Sequence, residues 1–263
     1  MLRGAALVCV LLALPLISEA CTESPLIRDD LIVPGSMTQT KQGEPVAAWY
    51  EDLTDRYPHA ALGDALEPTT LRVYGAETSA NCGLSFTTDA THVFEDVAPR
   101  LIDLDGDGRN EIITVRSHQS KGAQLAIFGQ GNDALNLLAT TPYIGTRNRW
   151  LAPLGAADLD GDGRMEVAYI DRPHLAKTLR IWRFEKGDLE EVAAIRGLTN
   201  HRIGERDIAG GIRRCNGSPE MILASGDWSK LLALRWDGKD TSVEVIGNDT
   251  SRPAFAAAMK CPN

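Results

Sequence analysis

Four short apolar segments recur along the chain at a nearly constant interval. Leu71-Arg-Val-Tyr, Leu125-Ala-Ile-Phe, Leu179-Arg-Ile-Trp and Leu231-Leu-Ala-Leu begin 54, 54 and 52 residues apart. Each is rich in aliphatic and aromatic residues and bounded by Gly or polar clusters, the pattern of a β-strand. A second apolar segment follows each of them: Leu84-Ser-Phe, Leu135 to Thr140, Leu189 to Ile195, and Val243 to Ile246. A period of about 54 residues built of short strands predicts a repeat architecture rather than one irregular domain.

Polar positions keep the same period. Asp103-Leu-Asp-Gly-Asp-Gly-Arg-Asn-Glu111 leads into Ile-Ile-Thr-Val, and Asp158-Leu-Asp-Gly-Asp-Gly-Arg-Met-Glu166 leads into Val-Ala-Tyr-Ile. A further 54 residues brings Glu220, in a decayed third copy where Ile212 and Arg214 replace the first two Asp. The unit therefore reads as an opening strand, an acidic loop, a strand after the Glu, and a hairpin of two more. Four antiparallel strands recurring in this way predict an all-β chain, a propeller-like ring of about four four-stranded blades. The rival architecture is an open stack of the same blades.

The ring is expected to occupy residues 57–263. Residues 21–56 are expected to form an arm, with a short amphipathic helix from Pro45 to Tyr57, since proline suits a first helical turn. The first unit lacks an obvious opening strand. The apolar run Pro253-Ala-Phe-Ala-Ala-Ala-Met resembles Pro153-Leu-Gly-Ala-Ala, so it is expected to complete that blade and close the ring, removing sheet edges.

The acidic loops place Asp at positions 1, 3 and 5, Gly at position 6 and Glu at position 9. Alternating carboxylates in a tight loop aim several hard oxygens at one point, which suits Ca²⁺. Left alone they would repel one another, and a solvent-facing acidic turn is the less favoured alternative. An EF-hand shares the first six positions but needs a bidentate Glu at position 12, where Thr114 and Tyr169 stand, and a helix where strand formers follow.

Gly155-Ala-Ala-Asp-Leu-Asp-Gly-Asp-Gly-Arg-Met-Glu-Val-Ala-Tyr resembles the FG-GAP/VCBS repeat of integrin-α-like β-propellers. The resemblance implies two calcium loops. Their ligands would be Asp103, Asp105, Asp107, the Arg109 carbonyl and Glu111, and Asp158, Asp160, Asp162, the Arg164 carbonyl and Glu166. Glu at position 9 departs from the Asp more usual there. The third copy is expected to be metal-free.

Connections alternate between the two faces of a blade, so the loops opposite the acidic ones form a second surface. They carry His92, Arg147, Asn148, Arg149, His174, His201, Arg202, Asp227 and Trp228. Arg, His, Asn and Trp at matching places in successive units suit a small anionic ligand, a glycan or a protein partner. The alternative is that these side chains merely tie down turns. No G-x-S-x-G elbow, H-E-x-x-H or P-loop occurs, so a non-enzymatic binding module leads. A hydrolase or lyase using this loop face, or a lectin, is the alternative.

Composition adds compartment and partners. Arg3, an apolar run from Ala5 to Ile17 and Ser18-Glu19-Ala20 read as a secretory signal peptide, too short for a permanent span. Ser18 and Glu19 do not make the small-residue box that lipidation of Cys21 needs, so plain cleavage after Ala20 is expected, with a periplasmic or extracellular destination. Cys21, Cys82, Cys215 and Cys261 remain, an even number expected to form two disulfides, with the pairing open. The formal net charge of −9 argues against nucleic acid, and the two acidic loops alone hold eight carboxylates. A monomer without a membrane span is expected.

Overall fold

Strict alternation of side chains decides how the strands are used. In Ile112-Ile113-Thr114-Val115, Ile112 packs on one side of its sheet while Ile113 and Val115 pack on the other. A strand buried on both faces reads as a continuous apolar run, and the second and third strands of each repeat are of this kind. The computed structural model describes residues 30–75, 83–131, 134–215 and 217–261. The expected signal peptide, Cys21, Cys82 and Asn216 lie outside these residues.

Four antiparallel sheets follow one another along the chain in a propeller-like arrangement. The first comprises β1 (Thr38–Gln39), β2 (Ala47–Thr54), β3 (Glu67–Tyr74) and β4 (Leu84–Thr87). The second has its opening strand broken into β5 (His92–Phe94) and β6 (Arg100–Ile102), both pairing with β7 (Glu111–His118), then β8 (Gly122–Gln130) and β9 (Leu135–Thr140). The third is regular: β10 (Leu151–Ala157), β11 (Glu166–Asp171), β12 (Thr178–Glu185) and β13 (Asp188–Arg196). The fourth again breaks its first strand, into β14 (Leu198–Thr199) and β15 (Gly211–Cys215), before β16 (Ser218–Ser225), β17 (Leu231–Trp236) and β18 (Thr241–Gly247). The four segments that set the period are the third strands β3, β8, β12 and β17.

Three apolar layers lie between successive sheets. Tyr50, Leu71 and Val73 meet Phe94, Ile112 and Phe128. Ile113, Leu125 and Ile127 meet Leu151, Tyr169 and Trp182. Ala168, Ile170 and Leu179 meet Met221, Leu223 and Leu234.

Two expectations are overturned. The helix from Pro45 to Tyr57 is the strand β2, so the first sheet begins before residue 57 and includes part of the supposed arm. Its Ala48 and Tyr50 enter the first core layer, while Glu51 on the other face pairs with Arg72 at 2.9 Å. Period 2 thus prevails over the proline signal, supported by the β-favouring Trp49 and Tyr50. Conversely, the run from Pro253 is not a closing strand. It forms the helix α1 (Arg252–Ala258), with Ser251 as N-cap and proline in the first turn. Alanine, the best helix former, dominates it, and capping decides the outcome. Phe255 of α1 packs on Ile222, Ala224, Leu231 and Ala233, covering the outer face of the fourth sheet. The seam between the first and last units is crossed by loops: Gly204 N–H donates to the Ala61 carbonyl at 3.0 Å.

Cys215 and Cys261 form a disulfide, tying the end of β15 to the segment after α1. Among the described residues no helix is long and apolar enough to cross a membrane.

Candidate functional site

The acidic loops join the first and second strands of the second and third sheets. In the first loop Gly106 and Gly108 N–H donate to the two oxygens of Asp103 at 2.7 and 3.0 Å, and Leu104 N–H donates to Glu111 Oε2 at 2.7 Å. The second loop repeats this through Gly161 and Gly163 to Asp158 at 2.7 and 3.1 Å, and Leu159 to Glu166 at 2.9 Å. Gly108 and Gly163 have φ of +87° and +88°, a left-handed turn that favours glycine. Ligand atoms of Asp103, Asp105 and Glu111 lie within 4.8 Å of one another, as do those of Asp158, Asp160 and Glu166.

Position 5 falls outside both trios. Asp107 accepts from the Arg109 guanidinium at 2.7 and 2.9 Å, which holds its carboxyl below the usual range. Asp162 is held at about 2 in the same way by Arg164. Glu111 is pushed up to about 7 by burial and by the charges of Asp105, Asp107 and Asp103. Two aspartates and a buried glutamate bring three hard oxygens together in each loop, a donor set that fits a divalent cation.

The second loop differs in one respect. Arg183 Nε donates to Glu166 Oε1 at 2.8 Å, and its Nη2 lies 2.5 Å from Asp160 Oδ2 and 3.2 Å from Asp162 Oδ2. In the third copy, expected to be metal-free, Glu220 is held by Arg213 at 2.6 Å and by Arg235.

The opposite surface collects its residues into three groups. The central group surrounds a cavity of about 200 Å³ lined by Asn148, Arg149, Trp150, Arg172, Pro173 and His174, with His59, Leu175 and Ile203 completing it. His201 lies fully buried beside it, its Nδ1 3.0 Å from His174 Nε2, and stacks edge-on against Trp150. Burial pushes His174 down to about 4 and lowers His201 as well, so both are neutral at pH 7. Arg147 stands outside, its guanidinium 5.0 Å from the Tyr57 ring centre and donating to the Gln119 carbonyl. Asn148 takes the left-handed conformation, φ +57°, and its N–H donates to the Tyr57 hydroxyl.

The other expected residues sit elsewhere. His92 bonds Tyr143 Oη at 2.6 Å and packs edge-on against His118. Arg202 stacks on Trp228, 4.0 Å from the ring centre, and Asp227 caps its own turn through Ser225 and Ser229. One pair was missed in the sequence. His59 Nδ1 hydrogen-bonds Glu95, which is fully buried and also accepts from the Ser117 hydroxyl. Burial raises the Glu95 carboxyl while His59 and Ser117 oppose that shift. His59 lies in a β2–β3 connection with no motif around it, so spacing gave no signal.

Residues 103–169 match the family model of an FG-GAP-like repeat, the stretch that includes both acidic loops. The resemblance drawn from those loops is borne out over that stretch. Among solved structures, the exotype rhamnogalacturonan lyase YesX is similar at 15% identity over 83% of this chain, with a TM-score of 0.46. The chain spans about half of that structure, 48%. No curated protein matches the sequence.

Proposed function

We propose that the chain is an exported, calcium-stabilised, propeller-like binding module. Two calcium sites would lie one in each of the 103–111 and 158–166 loops, and its ligand would be held by the cavity at the other end of the strands. The observation that carries the calcium reading is the duplicated carboxylate cradle, two loops in successive sheets with the same hydrogen bonds to within 0.2 Å. Asp103, Asp105 and Glu111 would hold the ion in the first loop, which would brace the strands it joins. The chain's own residues do the rest: Arg149 and Asn148 offer donors, and Trp150 and Pro173 an apolar wall, suited to a small anionic or sugar-like ligand. Equilibrium dialysis against ⁴⁵Ca²⁺ tests the first half; a chain that retains no calcium refutes it. A glycan and small-anion screen, repeated with Arg149→Ala, tests the second, and binding unaffected by that change refutes the site.

One observation favours a second reading. His59 faces the cavity with its other ring nitrogen free of a protein partner among the described residues, and Glu95 orients the ring from behind. A histidine held by a buried carboxylate can move a proton, which would serve a hydrolase or lyase. Turnover of polysaccharide or ester panels that is abolished in His59→Gln would establish it; no turnover leaves the binding module as the account. Export would be shown by N-terminal sequencing of the secreted chain beginning at Cys21, and a monomer by its sedimentation mass.

A further inference from the structure

Three sheets place a glutamate at the head of the second strand opposite one position of the third. Glu166 pairs in register with Arg183. Extending the neighbouring registers by one residue sets Glu111 opposite Gly129, and Glu220 opposite Arg235. The same place in the fold therefore holds no cation, one guanidinium, and then an arginine joined by a second from β15, Arg213.

The difference between the first two loops is built in. A Cβ on Gly129 would lie 2.6 Å from the Leu138 Cδ1, so a longer residue there would have to displace Leu138. Arg183 is only 13% exposed, extends beneath Trp236 with its guanidinium 5.9 Å from the ring centre, and reaches three carboxylates of the second loop. The fourth sheet closes over the same loop, with Gly238 so near that a Cβ would stand 2.9 Å from Asp160 Oδ2. Asp105, the counterpart of Asp160, is exposed.

We propose that Arg183 is the resident cation of the second loop, so that the two loops are unequal and the chain takes up one calcium ion, in loop 103–111. This rests on the calcium reading of the loops. A guanidinium bonded to Glu166 and Asp160 offsets one of the site's negative charges and occupies oxygens that an ion would need. To enter, calcium must displace charge-assisted hydrogen bonds and leave a partly buried arginine without partners, which weakens the second loop by about tenfold or more. The series from Gly129 through Arg183 to Arg235 places each loop at a different stage of replacing a metal with arginine.

The test is titration calorimetry of the metal-free mature chain with CaCl₂, beside Arg183→Met, which keeps the aliphatic stem under Trp236 but removes the charge. The wild type is expected to bind one ion in its tighter class, lost in Asp105→Asn and retained in Asp160→Asn. Arg183→Met is expected to bind two, and in chelator to melt below the wild type because its second loop has lost the cation that bridges Asp160 and Glu166. Two equivalent ions in the wild type would overturn the proposal while upholding the calcium reading. One ion in a folded Arg183→Met would also overturn it. No ion in either protein would overturn both.

Discussion

Glu67 opens β3 and is only 4% exposed, yet its carboxyl has no hydrogen-bond partner among the described residues. It lines a cavity of about 400 Å³ at the seam, with Leu62, Leu66 and Val97 as apolar wall and Asp64 and Asp96 as further acids. Burial first, then the charges of Glu95, Asp64 and Asp96, push this carboxyl from 4.5 up to about 10. The folded chain therefore holds a proton at neutral pH that the unfolded chain releases. A raised acid favours the fold least at high pH: its cost begins above pH 4.5 and grows until about pH 10. At pH 7 the gap from 4.5 corresponds to about 3 kcal/mol, rising by about 1.4 kcal/mol for each further pH unit. Glu67→Gln keeps the shape of the protonated acid and has no proton to lose. It should stabilise the chain by about 3 kcal/mol at pH 7, roughly 6–12 °C in melting temperature for a domain near this size. Melting curves of both proteins from pH 4.5 to 9, with calcium held in excess, should converge at the acid end and diverge steadily upward. Parallel curves, or a variant that melts lower at pH 8, would show that Glu67 is charged in the fold and would refute the reasoning.

Three further outcomes follow from the same geometry. Asp105→Asn should reverse sign with conditions. In chelator it relieves repulsion with Asp103 and Glu111 and melts higher, by about 1 kcal/mol given its exposure, whereas in calcium it melts lower; a loss of equal size in both would count against an ion. His174, lowered to about 4, binds its proton more readily when unfolded, so stability is held above pH 6.5 and lost as pH falls toward 4. Discounting for its partly exposed ring, that loss is about 1–2 kcal/mol, and His174→Gln should flatten it in acid melts. Phe255→Ala should cost about 3–5 kcal/mol in urea unfolding, since Phe255 is 3% exposed and anchors α1; a change below 1 kcal/mol would mean that the helix is not docked in solution.

The repeat and the acidic loops were legible because each depends on local sequence alone. The third strands at Leu71, Leu125, Leu179 and Leu231 kept their period, and the loop Asp, Gly and Glu kept their spacing, through all the tertiary packing. Chain ends were misread where two local signals competed. Pro45 suggested a helix start, but alternation in Ala48, Trp49, Tyr50 and Glu51 prevailed because a neighbouring sheet offered a core layer. Pro253 led a run resembling a strand, but four alanines and a serine cap gave a helix. The loop surface opposite the acidic loops was legible as a face and not as a site. Which loop residues converge depends on blade angles that no spacing encodes, so Arg149 and His174 meet at one cavity while Arg202 and Trp228 meet at another blade. Arg183 was passed over because a cation in a strand reads as surface until its register with Glu166 is known.

The strand pair β10–β11 connects the two ends of the molecule and limits what an ion bound as proposed could do. At one end stand Trp150 and Asp171, beside the cavity; at the other stand Asp158 and Glu166. The seven residues of β10 span about 23 Å at roughly 3.3 Å each. That is well beyond the screening length of about 8 Å that applies to solvent-facing charges in physiological salt. A cation exchanged at the far end of this strand pair therefore acts on the cavity only weakly through its field. Its influence must pass through the stacking of the sheets. Ligand binding on chelator treatment should then fall together with the melting transition, and at temperatures where the chelated chain remains folded it should persist.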